Sequence, residues 1–197
     1  MNLACPKQSR HLLCTALGCL AVVLIAIGIL LAMGRPLICT CGTVKLWHGA
    51  VNSSENSQHI ADWYTFTHII HGFLFYWLLW LVAKKVEFLK PVSVRLFCAV
   101  FIEAGWEILE NTPLIINRYR EATIALGYNG DSVLNSTADI GFMSLGFLLA
   151  WRVPVWFIVS LTIALEVLNA IVIRDNLSLN ILMLTFPIDA VRQWQGG

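Results

Sequence analysis

Much of the chain consists of apolar stretches about as long as a bilayer is thick, and nothing else in it limits the fold as strongly. A span needs roughly 20 apolar residues at about 1.5 Å of helix rise each. Hydrocarbon offers no partner to a free N–H or C=O, so unbroken segments of this length are helical. Five segments qualify or nearly do: 12–33, 64–83, 94–116, 136–151 and 155–173. The first is apolar all round and reads as a retained, lipid-facing anchor, longer than the usual core of a signal peptide. Pro91 opens the third and Pro113 disturbs its end, while Arg152 and Pro154 close the fourth. The weaker stretch 177–186 is too short to span and reads as interfacial or re-entrant. The expected architecture is all-α: one domain, a polytopic membrane bundle of about five transmembrane helices with that short C-terminal segment.

Composition agrees. The 197 residues are 58% hydrophobic and 13% charged, with a mean hydropathy of +0.73, whereas soluble domains are about a quarter charged. A formal net charge of +1 argues against nucleic acid as a partner and leaves membrane lipids. The eight Trp suit the headgroup level, where Trp63 and Trp151 are expected. Of six cysteines, Cys14, Cys19 and Cys98 lie in apolar helical stretches as small hydrophobes. Leu3-Ala4-Cys5 looks faintly like a lipoprotein cleavage box, but no apolar stretch precedes it. Cys39-x-Cys41 is too short for a zinc knuckle, and residues so spaced rarely bridge each other. Lys84, Lys85, Lys90 and Arg95, clustered around one short loop, place the amino terminus in the cytoplasm.

Five acidic residues fall inside predicted spans: Glu103, Glu107, Glu110, Asp139 and Glu166. A charge at the bilayer centre costs roughly 2.5–3.5 kcal/mol even on permissive scales, so each is a functional-site candidate. Glu103, Glu107 and Glu110 share one helical face at i, i+4, i+7, a spacing that calls for a cation, a His or shared protons. His68 and His71 share a face of the second span, and Asp131, Asn135 and Asp139 share one at the start of the fourth. Glu166 and Asn169 lie late in the fifth. Alternating helix direction brings all four groups to the same half of the membrane, whichever way the protein is oriented.

Histidines and carboxylates on facing helices are the parts of bundle metal sites. His68, His71 and Glu107 are the candidate ligands for a divalent metal, zinc or non-haem iron. Such a metal makes water nucleophilic near neutral pH. Glu103 or Glu110 is the candidate general base, and Asp131, Asn135 and Asp139 are candidates for orienting substrate. There is no HExxH and no Glu-x-x-His on either helix. The leading expectation is metal-dependent hydrolysis or acyl transfer on a lipid or envelope precursor at the outer leaflet. The alternatives are a binding or proton- or cation-coupled transport protein, and a membrane scaffold whose polar groups only tie helices together.

The strings Gly34-Arg35-Pro36, Cys39-Thr40-Cys41-Gly42 and His59-x-x-Asp62-x-Tyr64-x-x-Thr67-His68-x-x-His71-Gly72 resemble an uncharacterised family of bacterial multi-pass membrane proteins. Glu103-x-x-Trp106-Glu107-x-x-Glu110-Asn111-Thr112, Gly130-Asp131-Ser132-x-x-Asn135-Ser136-x-x-Asp139 and Arg174-Asp175-Asn176 look like the same family. The resemblance covers most of the chain after the first span. It implies a bacterial inner-membrane location and no particular activity. A fainter likeness is to the VanZ-like membrane proteins, through His68, Glu103 or Glu107, Asp131, Asn135 and Gly141. The Arg usual ahead of that Asp has no clear counterpart.

Overall fold

The computed structural model describes residues 6–123 and 127–196, with the side chains of 6–11 set aside. The motif around Cys5 falls outside the described residues. Among these the chain is helix and loop without strands: α1 (Pro6–Ala32), α2 (Thr65–Ala83), α3 (Val92–Glu110), α4 (Pro113–Ala122), α5 (Val133–Arg152), α6 (Val155–Ile173), α7 (Leu177–Thr185) and α8 (Asp189–Gly196). A single 3-10 turn, Glu87–Leu89, links α2 to α3.

Four helices, α1, α2, α5 and α6, are long and apolar enough to cross a membrane, which points to a membrane location. α1 and α6 are each only 6% buried within their apolar windows, so the rest of the chain leaves their apolar faces uncovered, as suits helices that lie in lipid. α3 has the same length as α2, 19 residues. It carries Arg95, Glu103, Glu107 and Glu110 and packs against α1, α2 and α5.

Three boundaries depart from the expectation. The third segment does not run to residue 116: α3 ends at Glu110 and α4 starts at Pro113. Proline lacks the N–H that a continuing helix needs and suits a first helical position. The fourth segment begins earlier, at Val133, because the Ser132 hydroxyl accepts the Asn135 N–H at 3.1 Å. Beyond α7, whose range matches the expected short segment, an eighth helix follows. A fourth difference is local: Cys39 and Cys41 are joined as a disulfide. Gly42, at φ 76°, donates its N–H to the Cys39 carbonyl at 3.0 Å, and that tight turn brings the two sulfurs together.

The main core lies between α1, α3 and α5 and holds Ala26, Ala99, Val100, Ala104, Ile140, Met143 and Phe147. α2 and α5 approach through glycines, Gly72 against the Met143 carbonyl and Gly146 against the Ile69 carbonyl. The 34–63 loop folds over the start of α5. Pro36 and Leu37 carbonyls accept the Val133 and Leu134 N–H groups, which have no partner within the helix.

The last two helices are tied down by Asp175. Its carboxylate accepts from Tyr64 Oη (3.0 Å), Asn180 Nδ2 (2.9 Å), the Asn176 N–H (2.9 Å) and Gln195 Nε2 (3.1 Å). Burial nonetheless pushes its carboxyl up to about 6, against the pull of those donors. A raised carboxyl pKa means the folded protein binds more protons than the unfolded chain, so this group's contribution to stability falls as pH rises towards about 6. The melting temperature of Asp175→Asn relative to wild type should therefore climb between pH 4 and 6 and level off above. Paired melting curves across that range check it; a flat difference would contradict it.

Candidate functional site

The site starts where the 34–63 loop hands over to α2. The Asp62 carboxylate accepts the Ser57 N–H at 3.0 Å and the Tyr64 N–H at 2.8 Å, fixing the entry to the helix. Burial raises this carboxyl despite both bonds. One turn on, His68 and His71 point across to α3, where Glu103 has no exposed surface. His68 Nδ1 lies 2.7 Å from Glu103 Oε1, and His71 Nδ1 lies 3.1 and 3.2 Å from its two oxygens. A carboxylate only accepts, so a neutral ring that gives Nδ1–H to Glu103 has its lone pair on Nε2. His71 is further held by stacking on Phe75 and by an edge contact with Trp106.

Below this pair the polar groups continue. His68 Nδ1 is 3.5 Å from Glu107 Oε1, and His68 Nε2 is 3.7 Å from Asp139 Oδ2 on α5. Both Glu107 oxygens and Asp139 Oδ1 are buried without a hydrogen bond among the described residues. Three groups of side chains place ligand atoms within 4.8 Å of one another: His68, His71 and Glu103; His68, Glu107 and Asp139; Glu107, Glu110 and Asp131. They share His68 and Glu107 and so form one continuous series along the face of α3.

At its far end Asn111 and Asp131 bond reciprocally. Asn111 Nδ2 donates to Asp131 Oδ2 at 2.8 Å, and the Asp131 N–H donates to Asn111 Oδ1 at 2.7 Å. Tyr128 Oη donates to Asp131 Oδ1 at 2.8 Å. Burial lifts the Asp131 carboxyl to about 6, opposed by the bonds from Tyr128 and Asn111.

Each residue singled out in the sequence has a definite place. Glu103 faces both histidines. Glu107 lies nearer to His68 and Asp139 than to His71 in these groupings. Glu110 bonds Tyr119. Asn135 donates to the His59 carbonyl at 2.9 Å and so holds the loop as well as lining the cavity. Glu166 and Asn169 serve elsewhere. The Glu166 carboxylate accepts the Leu177 and Ser178 N–H groups at 3.0 Å, an anion at the start of α7. Asn169 donates to the Trp63 carbonyl at 3.0 Å.

Three of the four tyrosines, Tyr64, Tyr119 and Tyr128, line the cavity beside the acids, and none is among the candidate site residues of the sequence, where Tyr64 figures only in a motif. Tyr64 stands two positions after Asp62 and Tyr128 three before Asp131, and that closeness to motif acids was the available signal. The cavity measures about 940 Å³. His68, Asp131 and Asp139 form its polar side, and Leu74, Phe75, Ile102 and Trp106 an apolar one.

Residues 30–197 match the profile of a family described as "Protein of unknown function (DUF2585)". The chain is similar to UPF0314 proteins of several bacteria. The one from Agrobacterium fabrum is 58% identical over 174 residues, 88% of this chain and 86% of the relative. That of Sinorhizobium fredii is 59% identical over 181 residues, 92% and 90%. That of Novosphingobium aromaticivorans is 57% identical over 184 residues, 92% of each. No solved structure matches. These matches bear on the first resemblance drawn from the sequence and not on the VanZ-like one.

Proposed function

We propose, for a chain that belongs to the DUF2585 family of unknown function, a metal-dependent hydrolase or acyltransferase of the bacterial inner membrane, acting on a lipid or envelope precursor. The observation that carries this reading is the cluster of orphaned acceptors around His68: both Glu107 oxygens and Asp139 Oδ1, buried and without hydrogen bonds. A buried carboxylate oxygen without a hydrogen bond is costly, and a divalent cation is the partner that satisfies several at once. His68, Glu107 and Asp139 supply an imidazole and two carboxylates, a donor set suited to zinc or iron.

Such a metal supplies Lewis acidity, polarising an ester or phosphoester and making water acidic near neutral pH. The protein does the rest. Glu103 would hold both rings through Nδ1, leaving Nε2 of His68 for the cation and Nε2 of His71 as a further donor. Asp131, lifted to about 6, suits a general base near neutral pH, with Tyr128 and Asn111 orienting its carboxylate. Glu110 lines the same cavity and is the other candidate base. A lipid substrate is favoured by the apolar wall, because Leu74 and Ile102 are 40% and 44% exposed on the flank of the bundle. A chain lying there would keep its acyl part in lipid and its polar head at the histidines.

Protein purified in detergent without chelator should carry about one equivalent of zinc or iron at the His68 site, read by elemental analysis. Less than roughly a tenth of an equivalent of any transition metal would end the metal reading. The unbroken series from His71 to Asp131 supports a second reading, a relay for protons or a cation. Proton-coupled uptake into liposomes that vanishes in Glu107→Gln would favour it.

A further inference from the structure

A second cluster of ligating side chains lies in the 34–63 loop, separate from the intramembrane series. Cys39, Cys41, Glu55 and His59 place one ligand atom each within 4.8 Å of one another. Cys39 and His59 are 3% and 1% exposed. His59 Nε2 lies 3.0 Å from Glu55 Oε2, a separation that two ligands of one zinc-sized ion adopt. His48 lies tilted beside His59 with ring centroids 5.1 Å apart, and its buried Nε2 has no hydrogen-bond partner among the described residues. Lys45 pairs with Glu55 and so adds one positive charge at the cluster. Two thiolates and a carboxylate around a divalent ion leave one surplus negative charge, which Lys45 neutralises.

We propose that Cys39, Cys41, His59 and Glu55 form a zinc site that clasps the 34–63 loop over the cavity, open to the metal only when the two cysteines are reduced. The geometry around it explains why a clasp belongs there. The same loop bonds the start of α5: Gln58 Nε2 donates to the Gly130 carbonyl at 2.8 Å, and the Gln58 carbonyl accepts Ser132 Oγ at 3.0 Å. Ser57 and Gln58 also line the cavity. Four protein ligands with no position left for water make a structural centre. Reduction by a phosphine adds two electrons and two protons to the disulfide, and the phosphine leaves as its oxide with the oxygen of water. Zinc then displaces both thiol protons. The His59 ring proton moves to Nδ1, which releases the long 3.3 Å contact from the Lys45 N–H.

Cobalt(II) is the probe, because thiolate-to-cobalt charge transfer cannot come from the His68 cluster, which contains no cysteine. Full-length protein in detergent, reduced with a phosphine and checked by thiol counting, should bind cobalt with that absorption, and zinc should abolish it. Unreduced protein should show none, and Cys39→Ser/Cys41→Ser should lose it after reduction. His59→Gln should weaken cobalt binding at least tenfold. No charge-transfer band in fully reduced wild type would overturn the proposal, and so would a band that persists in the double serine variant. The reduced and oxidised wild type compare the same folded chain, so a failure of either variant to fold leaves the test intact. Either result is independent of whether His68 and Glu107 hold a metal.

Discussion

Replacing Glu107 by glutamine should abolish the stabilisation that the wild-type protein gains from a divalent cation. A ligand held at a thousandfold excess over its Kd contributes about 4 kcal/mol. For a chain of this size that amounts to about 2–4 °C per kcal/mol in melting temperature. Chelation should therefore lower the wild-type melting temperature by roughly ten degrees. Glu107→Gln should show almost no such drop, with cation affinity down at least tenfold. The opposite sign follows if Glu107 and Asp139 merely share a proton. The glutamine amide would then keep one of the two Glu107 oxygens, turn the other into a donor, and place that donor beside the Asp139 carboxylate. The variant would equal or exceed wild type in stability, and chelation would change neither protein. Melting curves with and without chelator, on both proteins, separate the two outcomes.

The common depth of these groups was legible in the sequence because helix direction alternates along the chain. His68 near the start of α2, Glu103 and Glu107 late in α3 and Asp139 early in α5 can only meet if α3 runs opposite to the other two, and they do meet. The shared face of Glu103, Glu107 and Glu110 follows from helical periodicity alone. Which carboxylate takes the histidines was not legible. Glu103 and Glu107 are one turn apart, and choosing between them requires the axial offset of α2 against α3. Glu166 counts among the intramembrane acids in the sequence, which cannot show that the chain doubles back at Arg174, in the left-handed region at φ 53°. That reversal sets the first turn of α7 over its carboxylate. The fold of the 34–63 loop was not legible either. Its order comes from bonds to α5, some 75 positions away in the chain, such as Ser132 Oγ to the Gln58 carbonyl, |i−j| = 74.

The offset between α2 and α5 is set by two glycines, and a methyl group at either should cost both stability and the site. A Cβ on Gly72 would sit 2.1 Å from the Met143 carbonyl oxygen and 2.5 Å from the Phe147 nitrogen. A Cβ on Gly146 would sit 2.1 Å from the Ile69 carbonyl oxygen. These neighbours are backbone, so no rotamer change relieves the clash and the helices must move apart. Overpacking of this kind costs about 1–3 kcal/mol, and rigid main chain on both sides puts Gly72→Ala at the upper end or beyond. His68 lies one turn before Gly72, and Asp139 two turns before Gly146. Separating the helices widens the 3.7 Å gap between His68 Nε2 and Asp139 Oδ2, so cation binding should fall together with stability. Gly105 and Gly141 are the controls. Both are helical, and nothing among the described residues lies within 4 Å of a Cβ added to either. Alanine there should be neutral or stabilise by about 0.5–1 kcal/mol, because alanine loses less entropy in a helix. If Gly72→Ala melted and bound cation like Gly105→Ala, close contact between α2 and α5 could not be what sets the spacing of the site.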